Sequence, residues 1–149
     1  MKKIAALLVA AATTLSMAVP AFAATPSVYL DGEKMTFESD PYIKDDRTLV
    51  PMRAIFEACG ATLQWDQSKL TVIGVKNMVN EEGQPGVSTI VLQINNPLVF
   101  IDSQPIEIDV PAEVTNDRTF VPLRVISEAL GAEVEWNAEE LRVDITITK

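Results

Sequence analysis

Apolar and polar positions alternate with a period of two over many short stretches of this chain, and the period lengthens to that of a helix in only two places. Val28-Tyr29-Leu30 is followed by Asp31-Gly32 and then by Lys34 to Phe37. Asp-Gly between β-favouring runs predicts a hairpin, because its turn needs positive φ. A second turn is expected at Asp45-Asp46, with a brief strand over Thr48-Leu49-Val50. Pro51 then opens a helix over 51–59, where a missing N–H costs nothing, and Gly60 closes it. Met52, Ile55, Phe56 and Cys59 fall at i, i+3, i+4 and i+7, one apolar face. Strands are expected over Thr62–Trp65 and Leu70–Val75, turning at Asp66-Gln67-Ser68.

The same pattern returns 71 residues later. Asp46-Arg47-Thr48-Leu49-Val50-Pro51-Met52-Arg53 is echoed by Asp117-Arg118-Thr119-Phe120-Val121-Pro122-Leu123-Arg124, and 12 of 21 residues are identical between 46–66 and 117–137. The chain therefore reads as two copies of one supersecondary unit, about 28–76 and 99–147. The second copy predicts strands at Val99–Ile101 and Ile106–Asp109, a turn at Asn116-Asp117, and a helix over 122–130 with Leu123, Ile126 and Leu130 on its apolar face and Ser127 as a gap. A final strand pair over Glu133–Trp136 and Leu141–Thr148, turning at Asn137-Ala138-Glu139, completes it. Ser103 stands where the first copy has Gly32, so a different or longer turn is expected there, and the returning strand should start after Pro105. Asn80 to Ser88 reads as a polar, flexible loop, and Thr89–Ile94 as a strand joining the halves, so 77–98 is the connection. Two and a half helical turns do not persist alone in water, so each helix must be pinned on a sheet. The expected class is α+β: two pseudo-symmetric repeats of antiparallel β-hairpins with one short helix each, in a single domain over 24–149.

Residues 1–23 stand apart. Lys2 and Lys3 precede an apolar run to Val19, Pro20 breaks it, and Ala21-Phe22-Ala23 has the small-x-small form of a cleavage site. A signal peptide cleaved before Ala24 is expected. The run falls short of the roughly 20 apolar residues that span a bilayer. A secreted, extracellular or wall-associated protein follows, with no membrane insertion after cleavage. Loss of Lys2 and Lys3 takes the formal charge from −9 to −11. Such an acidic body repels phosphate backbones, so nucleic acid is not an expected partner.

Chemistry-bearing residues are few. The chain has no histidine, which removes the commonest general base, any His-containing triad and the preferred imidazole ligands for copper. Cys59 is the only cysteine, so no internal disulfide forms, and it takes the slot of Leu130, a buried apolar position. No serine sits in a nucleophile elbow, and no phosphate-binding glycine loop is present. Catalytic, metal-ligating and cofactor-binding residues are accordingly expected to be none. A hydrolase working through paired carboxylates is the enzymatic alternative, given 21 acids. Asp102, Glu107 and Asp109 are candidates for a calcium cluster, with no supporting loop motif. Arg53 and Arg124 read either as anion-recognising groups or as i, i+4 partners of Glu57 and Glu128, or as ties to the Asp46 and Asp117 turns. Trp65 and Trp136 read either as sugar-stacking platforms or as packing over a helix end.

The string RTLVPMRAIFEACGATLQWD and its echo RTFVPLRVISEALGAEVEWN resemble the copper amine oxidase-like N-terminal domain, or stalk domain, of exported Gram-positive proteins. The resemblance covers essentially all of 28–147 and departs at Met52 and Cys59, where the usual wording has leucine. It implies an α+β fold with short helices. It implies a module remote from any copper site, without amine oxidase activity. The expected function is a non-catalytic exported binding or spacer domain of the cell envelope, its partner a cell-wall polymer or another exported protein. A scaffold or inhibitor of a secreted enzyme is a further alternative. The ligand-binding residues and the oligomeric state stay open at this level.

Overall fold

A computed structural model describes residues 25–147, and the export segment read at 1–23 lies outside them. The first half contains β1 (Ser27–Leu30), β2 (Glu33–Lys34), β3 (Tyr42–Lys44), β4 (Arg47–Pro51), α1 (Met52–Ala58), β5 (Thr62–Asp66) and β6 (Thr71–Val79). After β7 (Pro85–Gln93) come β8 (Leu98–Ile101), β9 (Gln104–Glu107), β10 (Glu113–Thr115), β11 (Arg118–Pro122), α2 (Leu123–Ala129), β12 (Ala132–Asn137) and β13 (Arg142–Ile147). The result is mostly β-sheet with two short helices, an α+β body.

The strands form three sheets, ordered β12-β13-β1-β2, β10-β11-β4-β3 and β5-β6-β7-β8-β9. Each sheet takes strands from both halves. In the central one β4 and β11 run antiparallel, with Val50 opposite Val121, Leu49 opposite Pro122 and Pro51 opposite Phe120. The outer two join the closing hairpin of one half to the opening hairpin of the other. In one of them β7 lies between β6 and β8, linking the halves as expected of a strand at that point. In the other β13 meets β1 directly, and that pair is parallel, so the sheets are not wholly antiparallel.

The helices begin one residue later and end one earlier than their sequence signals suggest. Pro51 and Pro122 close strands β4 and β11 and sit at the helix N-cap, with extended ψ of 128° and 123°. Gly60 and Gly131 adopt φ of +82° and +87°, the left-handed C-terminal stop. At the first of these stops the Gly60 N–H donates to the Glu57 carbonyl and the Ala61 N–H to that of Phe56, so two terminal carbonyls are satisfied. One continuous apolar core holds both helix faces together with Val28, Val72, Ile90, Val99, Val143 and Ile145. Cys59 is buried in it, as expected of a leucine-equivalent position. A small second core of Leu49, Val110 and Phe120 lies beneath Tyr42, whose ring tilts against Phe120 at 4.9 Å.

Four other expectations are corrected. Asp102 and Ser103 take φ of +50° and +70°, so the β8–β9 turn has two residues, like Asp31-Gly32. Serine accepts left-handed geometry here because the ladder on both sides fixes it, and the Asp102 carboxylate receives the Thr89 N–H at 2.8 Å. Pro105 lies inside β9 opposite Phe100. A two-residue turn makes its flanking pair hydrogen-bonded and the next pair not, so the missing N–H costs nothing there. The polar stretch 80–88 is not a loop throughout. β6 and β7 stay paired out to Val79 opposite Pro85, and Asn80 closes the short turn by accepting the Glu82 and Gln84 N–H groups. The turns after β5 and β12 also run longer than three residues and end on Leu70 and Leu141, both in left-handed geometry.

Candidate functional site

A groove of about 700 Å³ opens between the β3–β4 hairpin and the second half. Four separate segments build it. The β3–β4 hairpin contributes Ile43, Asp46, Arg47 and Thr48, and the end of β9 with its continuation contributes 107–110. The start of α2 brings Pro122 to Val125 with Glu128, and the β12–β13 hairpin brings Val134, Trp136, Ala138, Leu141 and Val143. The strand register explains Trp136. It pairs with buried Val143, so its side chain points to the helix-bearing face, at the margin of the sheet. There the indole is 40% exposed.

The groove floor is aliphatic. Leu123, Val110 and Val143 are buried beneath it, with Val125, Val134 and Ile108 partly so. Its rim is charged, and most of the charge is already committed. Arg47 forms an ion pair with Asp109. Arg124 reaches Glu128 at 3.4 Å and donates to the Val134 carbonyl at 3.1 Å, tying α2 to β12. Asp46 and Glu107 form no ion pair among the described residues.

The sequence-derived candidates therefore part company. Arg124 and Trp136 share the groove, whereas Arg53 and Trp65 line neither it nor a second hollow at the tip of the β12–β13 hairpin. Among the described residues Arg53 makes only the i, i+4 contact to Glu57, at 3.9 Å, and neither arginine binds the turn at Asp46 or Asp117. Trp65 is 37% exposed and donates its indole N–H to Gln67 at 2.9 Å. The trio weighed for calcium is dispersed in role: Asp102 fixes a turn, Asp109 holds Arg47, and Glu107 lines the groove. No group of three metal-ligating side chains occurs among the described residues. The sequence reading did not single out Ile43, Ile108, Val110, Leu141 or Val143 as site residues. For Ile108 a signal exists in the mismatch between the copies, in which it replaces Phe37, as Glu107 replaces Thr36 and Ala138 replaces Gln67; Leu141 and Val143 are the same residues as Leu70 and Val72 and carry no such signal.

A second polar cluster lies across the curled central sheet. The Tyr42 hydroxyl donates to Glu113 and meets Thr115 at 2.8 Å, and Lys44 pairs with Glu113. The Lys44 ammonium, then the Tyr42 hydroxyl, hold the Glu113 carboxyl below its usual range. Burial first, and hydrogen bonding to Glu113 second, push the Tyr42 phenol up to about 12. These groups tie β3 to β10, and a phenol held neutral in this way is no proton acceptor at ordinary pH.

The family model of the copper amine oxidase N-terminal domain matches residues 29–145, most of the chain. The chain belongs to this family. That domain is the non-catalytic part of copper amine oxidases, so the match assigns a module and no reaction. Among curated proteins and among solved structures nothing matches. No helix of the described residues is long and apolar enough to cross a membrane.

Proposed function

We propose that this stalk-type domain is an exported, non-catalytic binding module of the cell envelope, and that the groove over α2 docks a segment of another exported protein. The observation that carries the reading is the groove itself: an aliphatic floor with one half-exposed tryptophan, assembled from four segments that only the folded chain brings together. A floor so rich in Val, Leu and Ile suits apolar side chains of a polypeptide. The exposed Trp136 indole favours a second reading, in which a cell-wall glycan stacks on it. Export rests on the leader pattern at 1–23.

The groove is read as one of a pair, only one of which is open. The halves are taken to be related by a pseudo-twofold axis through the Val50–Val121 pair, since residues 71 apart face each other there. The ion pairs Arg47–Asp109 and Arg118–Glu38 support this, because each is the image of the other under the same shift. On that basis the first-half counterpart is filled by Phe37, which packs on the core where the second half has the smaller Ile108. Trp65, pinned by Gln67, narrows it from the other side.

The test compares wild type with Ile108→Phe, a residue the fold already accommodates at the equivalent position. Both are immobilised and offered purified cell wall and fractionated envelope proteins, with folding checked by circular dichroism. A defined species retained by wild type and released by Ile108→Phe supports the reading. Retention of neither wall nor protein, or retention insensitive to the substitution, overturns it. Export is tested separately by sequencing the N-terminus of the released protein, which should begin at Ala24.

A further inference from the structure

The groove reading leaves open what kind of segment is held, and the charges around it narrow the choice. Both arginines of the rim are engaged by carboxylates of the same chain. An anionic ligand would have to displace Asp109 or Glu128 to reach them. The two rim groups without an ionic partner among the described residues are both acids, Asp46 and Glu107. Asp46 has an acidic counterpart 71 residues on, Asp117, which does not line the groove. Glu107 has none: the first half carries Thr36 at its place. A carboxylate has therefore been placed specifically where the groove is open. It lies on the exposed edge strand β9, opposite Leu98, and its carboxylate makes no ion pair among the described residues.

Resting on the docking reading above, we propose that the groove accepts a protein segment with a bulky apolar side chain flanked by lysine or arginine. The apolar group occupies the floor between Ile108 and Val134, beside the Trp136 indole, and a flanking cation meets Glu107 and Asp46. The overall charge of −9 acts in the same direction, drawing basic segments to this surface before contact and repelling acidic ones. The aromatic face of Trp136 adds a site for a cation or for the alkyl stem of lysine. A neutral glycan would leave the Glu107 charge without purpose.

The chain has two tryptophans, so Trp65→Phe makes Trp136 the sole indole reporter. In that background three acetylated, amidated pentapeptides are titrated by fluorescence and calorimetry. Each has the core Leu-Phe-Leu, and the two flanking residues are both Lys, both Gln or both Glu. Chitotriose is the fourth probe. The expected result is saturable binding of the lysine peptide at one per chain, weaker binding of the glutamine peptide and none of the glutamate peptide. Glu107→Thr, the residue of the other half, should weaken the lysine peptide about fivefold, the range of a solvent-exposed ion pair. Ile108→Phe and, from the opposite wall, Ala138→Gln should abolish binding of both apolar peptides. Equal affinity for all three peptides, each sensitive to Ile108→Phe, overturns the basic-segment proposal and leaves the groove standing. Chitotriose binding that Ile108→Phe removes overturns it in favour of the glycan. Lysine-peptide binding untouched by Ile108→Phe, or silence from all four probes, overturns the groove reading itself.

Discussion

At the scale of single residues, the two halves exchange volume. Phe56 on α1 presses its ring onto Gly74 of β6, so closely that a Cβ there would meet Cε1 at 2.2 Å. The equivalent positions of the second half are Ser127 and Ile145, the small residue now on the helix and the large one on the strand. Gly74→Ala should therefore destabilise by about 2–3 kcal/mol through overpacking. Phe56→Ser alone leaves a cavity and costs about 3–5 kcal/mol. Combined with Gly74→Ile it rebuilds the pair found in the other half, so the double variant should recover a large part of both losses in denaturant unfolding; strict additivity would sink the exchange. Ser127 carries its own consequence. Its hydroxyl is buried and makes no hydrogen bond among the described residues, and the Cys59 thiol beside it is too weak and too loosely placed to satisfy it. Burial keeps that thiol above its ordinary pKa, so it stays protonated and offers little electron density. Ser127→Ala should be neutral or stabilising by up to about 1 kcal/mol, contrary to the usual sign for a core substitution.

At the scale of elements, the long β6–β7 hairpin is a clamp on the end of α2. Its Lys76 ammonium donates to the Leu130 carbonyl at 2.8 Å, and the Ser88 hydroxyl to that of Ala129 at 2.9 Å. Both bonds satisfy carbonyls that a helix C-terminus leaves unpaired, and the lysine adds favourable charge at the negative end of the helix. Lys76→Met should cost about 1 kcal/mol and speed hydrogen exchange at 127–131 more than at 56–60. Equal effects at both helices would show that the bond is incidental. This clamp was not legible in the sequence. The helices were, because Pro51, Pro122, Gly60 and Gly131 punctuate them and their apolar stripes have the right period. The left-handed turns at Asp45-Asp46 and Asn116-Asp117 were equally plain, since the required backbone is local to those residues. The hairpin was hidden because Asn80 to Ser88 has loop composition, and its pairing is imposed by the ladder that continues from Ile73 and Val91. The groove was hidden for a related reason. Arg124 and Trp136 stand out singly, but nothing local to 46–48, 107–110, 122–128 and 134–143 says that these segments meet.

At the scale of the whole molecule, the halves are fastened by charges whose titration can be followed. The exposed pairs Arg47–Asp109 and Arg118–Glu38 each bridge the two halves, and such surface pairs contribute at most about 1 kcal/mol apiece. The Tyr42–Glu113–Lys44 cluster is more sheltered, and it sets the pH limits. For Glu113 the folded carboxyl titrates below its ordinary value of 4.5, so its contribution is complete above that pH and disappears as pH falls through the lower folded value. An opposing effect accompanies the same descent: protonating the other acids of this strongly acidic chain relieves self-repulsion. The two are separable because Glu113→Gln removes only the first. The variant should be less stable than wild type at neutral pH, and the gap should close as pH falls below 4.5 and through the lower folded value. Tyr42 works at the other end. Its phenol ionises at about 12 in the folded chain instead of 10.0, so the stability it contributes is whole below 10.0 and is lost between there and 12. Tyr42→Phe should flatten the alkaline limb of the stability profile and remove the phenolate that forms at about 12 from the ultraviolet spectrum. A wild-type spectrum in which the Tyr42 phenolate is already half formed at pH 10.0 would show that its hydroxyl is not held by Glu113, and would leave the Lys44–Glu113 pair as the polar tie between β3 and β10.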